Sequence, residues 1–342
     1  MQTVQPSSSP GPLDASFLES NIPTERQEKI VSCLWGTGNK YQKQNLHPYF
    51  QYYTEQCRTA FLCHGSGLVI RTHQHIIDIA AHIQGGYSRS EVKKYVQQCQ
   101  WTSDSTSENG INASIDLTVR LLCMLDVGEF ENAYSGRKKL LWAQGLLQDF
   151  VQETLSEDTS LDNDGIKLDG IFKVCNMVRI AGFQVEPTSN LCDHLRFRDL
   201  NKTIEVFHHA SFLMAHRKNS IFPPGLVDET LATLALLFPR GDKETERWYK
   251  KQDGPEELDK NILRCGEVVN RSIGDYKHWH DRLIILKSEF DETRPSNIMQ
   301  WWNDRRDVSQ WYALWAVISL TVLFGLVQSI EGGLQVYKAY HP

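Results

Sequence analysis

Residues 311–327 read WYALWAVISLTVLFGLV, seventeen positions without a charge, Asn or Gln, and the basic pair Arg305 and Arg306 stands shortly before them. As a helix this run covers ~25 Å at ~1.5 Å per residue, slightly less than the ~30 Å hydrocarbon core of a bilayer, so a transmembrane helix is expected over residues 311–336. Trp301, Trp302, Trp311, Tyr312 and Trp315 gather on one side of it, and Tyr337 and Tyr340 follow. Amphipathic rings favour the headgroup level, so the first group, with Arg305 and Arg306, is expected to anchor the helix at an interface. The competing reading is a buried core helix, because the run is short for a span and Ser319, Thr321 and Gly325 interrupt it. Aromatic clusters at both ends favour the bilayer.

Lys287, Arg294, Arg305 and Arg306 precede the span, whereas Lys338 alone follows it. Positive-inside logic therefore puts the preceding region in the cytosol, and a late, lone span predicts tail-anchored insertion. Inside the span, Thr321, Gly325, Ser329 and Gly333 recur every four residues, a small-residue stripe that lets helix backbones approach in lipid and predicts homo-oligomers. Gln328, Glu331 and Gln335 lie on a neighbouring face. An acidic residue costs ~2.5–3.5 kcal/mol at the bilayer centre, which places Glu331 near the far interface.

Outward from the span, the chain has an ordinary globular composition, with 41% apolar and 23% charged residues over 342 positions. Its net charge of −6 and interspersed Lys and Arg give no phosphate-tracking stripe, so nucleic acid is not an expected partner. The start, MQTVQPSSSPGPLDASF, lacks the basic and apolar parts of a secretory signal, and residues 1–20 read as a disordered leader. Eight scattered cysteines, several inside apolar helical patterns, predict reduced thiols rather than a disulfide framework.

Helical signals dominate residues 21–294, the expected soluble region, which could hold two subdomains. Thr24 with Gln27, and Ser88 with Glu91, have capping-box spacing. Apolar residues recur at helical spacing over 114–126 and 138–155, GLVDETLATLALLF follows Pro223 and Pro224, and Asp242 opens DKETERWYKK as its cap. From Gly274 the pattern is again helical, with Tyr276, Trp279, Leu283 and Leu286 on one side. Alternation in RIAGFQVE (179–186), CDHLRFR (192–198) and TIEVF (203–207) predicts a small hairpin or three-stranded meander. Residues 101–112 and 156–165 read as loops, residues 295–310 as a juxtamembrane interfacial helix carrying Ile298, Trp301 and Trp302, and residues 337–342 as a short tail.

The segments SIDLTVRLLCMLDVG, NLCDHLRF, VFHHASFL, ETLATLALLFP and, above all, HDRLIILKSEFDETRPSNIMQWWNDRR…QWYALW…FGLVQSIEGGLQVYKAYHP resemble a widespread group of uncharacterised proteins from filamentous fungi. The likeness runs from about residue 45 onward and is most specific in its last part. It implies a mostly helical cytosolic region with one membrane span, and it carries no catalytic residues across.

No chemical motif stands out. Cys57, Cys63 and His64 form C-x5-C-H, which fits no zinc pattern even with His73, His75 and His82 nearby. The pair His208–His209, read as helical, is expected to split into one packed and one exposed ring. Asp193, His194, Arg196 and Arg198 read as a solvated strand face, Gly86-Tyr-Ser88-Arg-Ser90 lacks the last glycine of a nucleophile elbow, and Gly36-Thr-Gly38-Asn-Lys40 lacks phosphate-loop spacing. No catalytic residue, cofactor or metal ligand is assigned. The expectation is a mainly α-helical cytosolic region with a small β element and one C-terminal transmembrane helix, acting as a membrane-tethered interaction or scaffold module. A channel or transporter subunit and an enzyme with a dispersed site are the alternatives.

Overall fold

The computed structural model describes residues 11–36, 45–102, 107–129, 139–161, 165–252, 258–266, 271–293 and 308–340. Among them are twelve α-helices and one three-stranded sheet. The first helices are α1 (Thr24–Trp35), α2 (His47–His64), α3 (His73–Gln84), α4 (Arg89–Gln98) and α5 (Glu108–Cys123). Helix α5 is their axis: α2, α3 and α4 all pack on it, and from Gly110 to Cys123 nearly every residue is buried. With almost no solvent face, the helix satisfies its polar side chains internally: Ser114 donates to the Gly110 carbonyl at 2.8 Å and Arg120 to the Val127 carbonyl at 2.9 Å. Its start packs so tightly that a Cβ on Gly110 would lie 1.8 Å from the Gly67 carbonyl oxygen.

The capping box at Ser88 and Glu91 is formed, with the Ser88 N–H donating to Glu91 Oε2 at 2.8 Å. Helix α1 starts where expected, but Thr24 is its first helical residue rather than its cap, and Gln27 instead donates to the Ile22 carbonyl at 2.9 Å. Helix α5 begins inside the expected 101–112 loop, because Ser107 accepts the Gly110 N–H and caps it there.

The largest departure from the periodicity lies in 138–155, where only α6 (Leu147–Thr154) is helical. Residues 139–146 form an extended strap instead. Leu140 bridges Val127, and Trp142 is buried beneath the Arg89 guanidinium, which stands 5.4 Å from its ring. Arg89 also pairs with Asp116 of α5 at 2.7 Å, and Gly145 turns the chain at φ 75° into α6. Tertiary contacts thus override a helical pattern that local propensity alone would favour.

The sheet consists of β1 (Gln184–Thr188), β2 (Arg196–Arg198) and β3 (Thr203–Phe207) in the order β1-β3-β2. Strands β2 and β3 form the expected antiparallel pair, whereas β1 lies parallel to β3, from Gln184 opposite Thr203 to Thr188 opposite Phe207. The arrangement is therefore no simple meander, and residues 179–181, expected in a strand, close helix α7 (Val174–Ala181). All five residues of β3 are buried, as befits a central strand covered on both faces. Around the sheet stand α7, α8 (Ala210–His216), α9 (Leu226–Leu237), α10 (Lys243–Lys250) and α11 (His280–Glu292). The cap on α10 is as expected, Asp242 accepting the Thr245 N–H at 2.9 Å.

One apolar cluster runs from Phe17 to Phe290 and joins both helical groups. At the seam Trp35 meets Phe212 and His216 edge-on at 5.6 and 5.5 Å, and Tyr49 stacks on Phe212 at 6.4 Å. Every cysteine among the described residues is a free thiol.

The last element, α12 (Val308–Tyr340), is a continuous 33-residue helix. It starts within the expected juxtamembrane stretch and runs through 336 into the expected tail. Its segment Trp311–Tyr340 is long and apolar enough to cross a membrane, and none of that segment's most apolar window is buried. A soluble core helix of this composition would be covered by its neighbours.

Candidate functional site

Parallel strands β1 and β3 end side by side, so the residues after Thr188 and Phe207 leave the sheet at one edge. Ligands in parallel sheets gather at such carboxyl ends. Here Ser189 and Asn190 follow β1, and His208 and His209 follow β3. Together with Gln51, Tyr52, Glu55 and Gln56 of α2, and with Asp126, they line a cleft of about 560 Å³.

Ser189 Oγ and His209 Nε2 are 2.8 Å apart. The His208 and His209 rings lie 3.9 Å from each other, and both are buried. The expected split into one packed and one exposed ring fails because the pair occupies a strand-to-helix turn, with His209 as the N-cap of α8, and not a helix. Burial lowers the pKa of His208 to about 4, and burial together with the adjacent His208 holds that of His209 well below the ordinary histidine value. Both imidazoles are neutral near pH 7. His208 Nδ1 is buried and has no hydrogen-bond partner among the described residues.

Ser189 and His209 can exchange a proton across their hydrogen bond. Among the described residues no carboxylate bonds to His209, so the third group that orients a nucleophile's base is not in place. The nearby amide of Asn190 is already committed, donating to Asp193 at 2.9 Å and accepting from Cys192. The described lining contains two carboxylates, Glu55 and Asp126, and no Lys or Arg. Pro187, His208 and Leu258 form a wall shared with a smaller apolar pocket that also includes Phe238 and Trp248.

Two further clusters of titratable groups have structural roles. Asp193 and His194 are buried, not solvated: His194 Nδ1 accepts the Phe207 N–H at 3.2 Å, and Nε2 meets Thr233 Oγ1 at 2.7 Å. The donor atoms of Cys175, Asp242 and Glu244 lie within 4.8 Å of one another, but the Lys173 ammonium stands 2.9 Å from Asp242 and 3.0 Å from Glu244 and supplies their positive charge. Cys57 is buried and Cys63 exposed on α2, and among the described residues neither joins a cluster of cation ligands.

Of the residues singled out in the span, Thr321, Gly325, Ser329 and Gly333 lie on α12, where Gly325 and Gly333 have open space around them. Thr321 donates back to the Val317 carbonyl at 2.8 Å, as a hydroxyl in an apolar helix does. Trp311, Tyr312 and Trp315 cluster in its first turns, with the Trp rings 6.3 Å apart. Trp301, Trp302, Arg305 and Arg306, like the interfacial stretch 296–306 and residues 37–40, lie outside the described residues.

No family model matches the chain, and no curated protein or solved structure matches it either.

Proposed function

We propose that this is a single-pass, tail-anchored membrane protein whose folded region serves as an interaction module on the cytosolic face of the bilayer. The observation that carries the reading is α12, whose segment Trp311–Tyr340 is long and apolar enough to cross a membrane and has none of its most apolar window buried. Apolar surface left in water costs ~25 cal/mol per Å², and hydrocarbon removes that cost. Thirty helical residues extend ~45 Å, the thickness of a bilayer with its headgroup layers. Glu331 then stands ~30 Å beyond Trp311, so both polar ends reach an interface. The excess of Lys and Arg before the span supports a cytosolic folded region, and the likeness to fungal helical proteins with one span agrees with this topology.

The test compares full-length protein carrying an N-terminal tag with a chain ending at Arg306. Full-length protein is expected to resist carbonate extraction while its tag stays open to protease, and the shortened chain to be released. Release of the full-length chain by carbonate would end the reading. The stripe of Thr321, Gly325, Ser329 and Gly333 supports a second copy as one partner, through helix contact in the bilayer.

A further inference from the structure

Helix α2 turns a polar stripe toward the cleft at the ends of β1 and β3. Gln51, Tyr52, Glu55 and Gln56 all line it, and spacings of three and four residues put them on one face of the helix. Ser189 after β1, and His208 and His209 after β3, complete the polar part of the wall with Asn190 and Asp126.

Much of this polar surface is uncommitted. Among the described residues the side-chain amides of Gln51 and Gln56 form no hydrogen bond, Gln56 Oε1 and His208 Nδ1 are buried without a partner, and Glu55 pairs only loosely with Arg58, at 3.8 Å. Ser189 Oγ bonds His209 Nε2 at 2.8 Å and, as a hydroxyl, keeps capacity for a second bond. The Tyr52 hydroxyl is taken by the Arg120 carbonyl at 3.2 Å, which leaves the ring as its contribution. Buried polar groups without partners are costly to the protein, and a ligand that brings the matching groups removes that cost.

We infer that the cleft binds a neutral cyclic polyol of mono- to disaccharide size. Each carboxamide sets a donor beside an acceptor, and adjacent ring hydroxyls present the same pair in return. Pro187, Leu258 and the Tyr52 ring offer apolar surface to the C–H faces of such a ring, and a volume of about 560 Å³ is in the range of small-ligand sites. A metal ion is a poorer match, because among the described residues no three of Glu55, Asp126, His208 and His209 bring their donor atoms together. A neutral ligand makes no demand on the net charge around the cleft. Gln56 Oε1 and His208 Nδ1 are closed to water, so the ligand meets them after a side-chain rotation, and the half-buried Gln56 has no hydrogen bond to break in making it. Binding of this kind is independent of the membrane reading above.

The experiment uses the full chain in a polyoxyethylene detergent, which carries no sugar headgroup. Glucose, mannose, N-acetylglucosamine, maltose, cellobiose and myo-inositol are titrated by saturation-transfer NMR, with glycerol as the acyclic comparison. At least one ring polyol is expected to bind about tenfold or more tightly than glycerol. The double variant Gln51→Leu/Gln56→Leu should lose about tenfold or more in affinity for that polyol, as removal of two hydrogen bonds does, while Gln98→Leu, on the exposed side of α4, should stay within about twofold. Gln51→Leu alone, at an exposed position where the fold is not at stake, should lose about threefold. Tighter binding of a disaccharide than of its single ring would assign two ring positions, and equal binding one; both support the site. Failure of every ring polyol to bind more tightly than glycerol, or equal losses in the Gln51→Leu/Gln56→Leu and Gln98→Leu variants, would overturn it. Carbonate release of the full-length chain with polyol binding intact would instead strike the membrane reading and leave the site standing.

Discussion

Trp142 shows how much one side chain can decide. It is 2% exposed, roofed by Arg89, and it holds an extended strap where the surrounding letters favour a helix. Trp142→Ala should destabilise the folded region by about 3–5 kcal/mol, the usual cost of emptying a buried aromatic site, and lower its melting temperature in calorimetry. Gly110 is a different kind of constraint. With Gly67 backbone 1.8 Å from the site of an added Cβ, Gly110→Ala has to push α5 away from the preceding turn, and a loss of at least ~1–3 kcal/mol is expected in denaturant titration. His194 and Thr233 form a buried pair at 2.7 Å, so Thr233→Val, which keeps the shape but leaves the imidazole nitrogen without its partner, should cost about 1–3 kcal/mol.

At the scale of elements, what could be read in advance followed from local chemistry. Ser88 with Glu91 and Asp242 before α10 act within one turn of the chain, and both form as their spacing implies. The apolar run of α12 needs no partner to be recognised, because seventeen consecutive residues without a charge, Asn or Gln stand out by composition alone. The strap, the parallel pairing of β1 with β3, and the cleft at their ends depend on residues far apart in sequence, such as Arg89 with Asp116 and Ser189 with His209. TIEVF followed directly by two histidines was the available signal for the cleft, but helical phasing of HHAS hid it. For α12 itself, replacing both Gly325 and Gly333 with Leu should weaken self-association in a membrane two-hybrid assay while carbonate resistance stays unchanged. An unaltered association signal would remove the small-residue stripe as an interface.

The molecule as a whole should be sensitive to acid. Burial lowers the pKa values of His73, His208 and His216 to about 4 and that of His194, with Arg282 nearby, to about 3. Each group is neutral when folded and has an ordinary value near 6.5 when unfolded, so below pH 6.5 the unfolded chain takes up protons that the folded chain excludes. Their contribution to stability is complete above about pH 6.5 and falls as pH drops toward the folded values near 4 and 3, by up to ~1.4 kcal/mol for each unit and each group. Melting temperature should accordingly decline from pH 7 to pH 4, most steeply below 6; a flat profile would mean that these rings are not buried as described. Residues ahead of position 162 are clasped to α11 and its approach: Asp158 N–H donates to the Lys277 carbonyl at 2.9 Å, Ser160 N–H to Asp281 at 3.0 Å, and the Leu155 carbonyl meets His278 Nδ1 at 3.0 Å. With a single apolar core spanning both sides of that clasp, a protease nick between 161 and 165 should yield two polypeptides that elute together in native chromatography and part only in denaturant, which makes this position a natural place to divide the protein into complementing fragments.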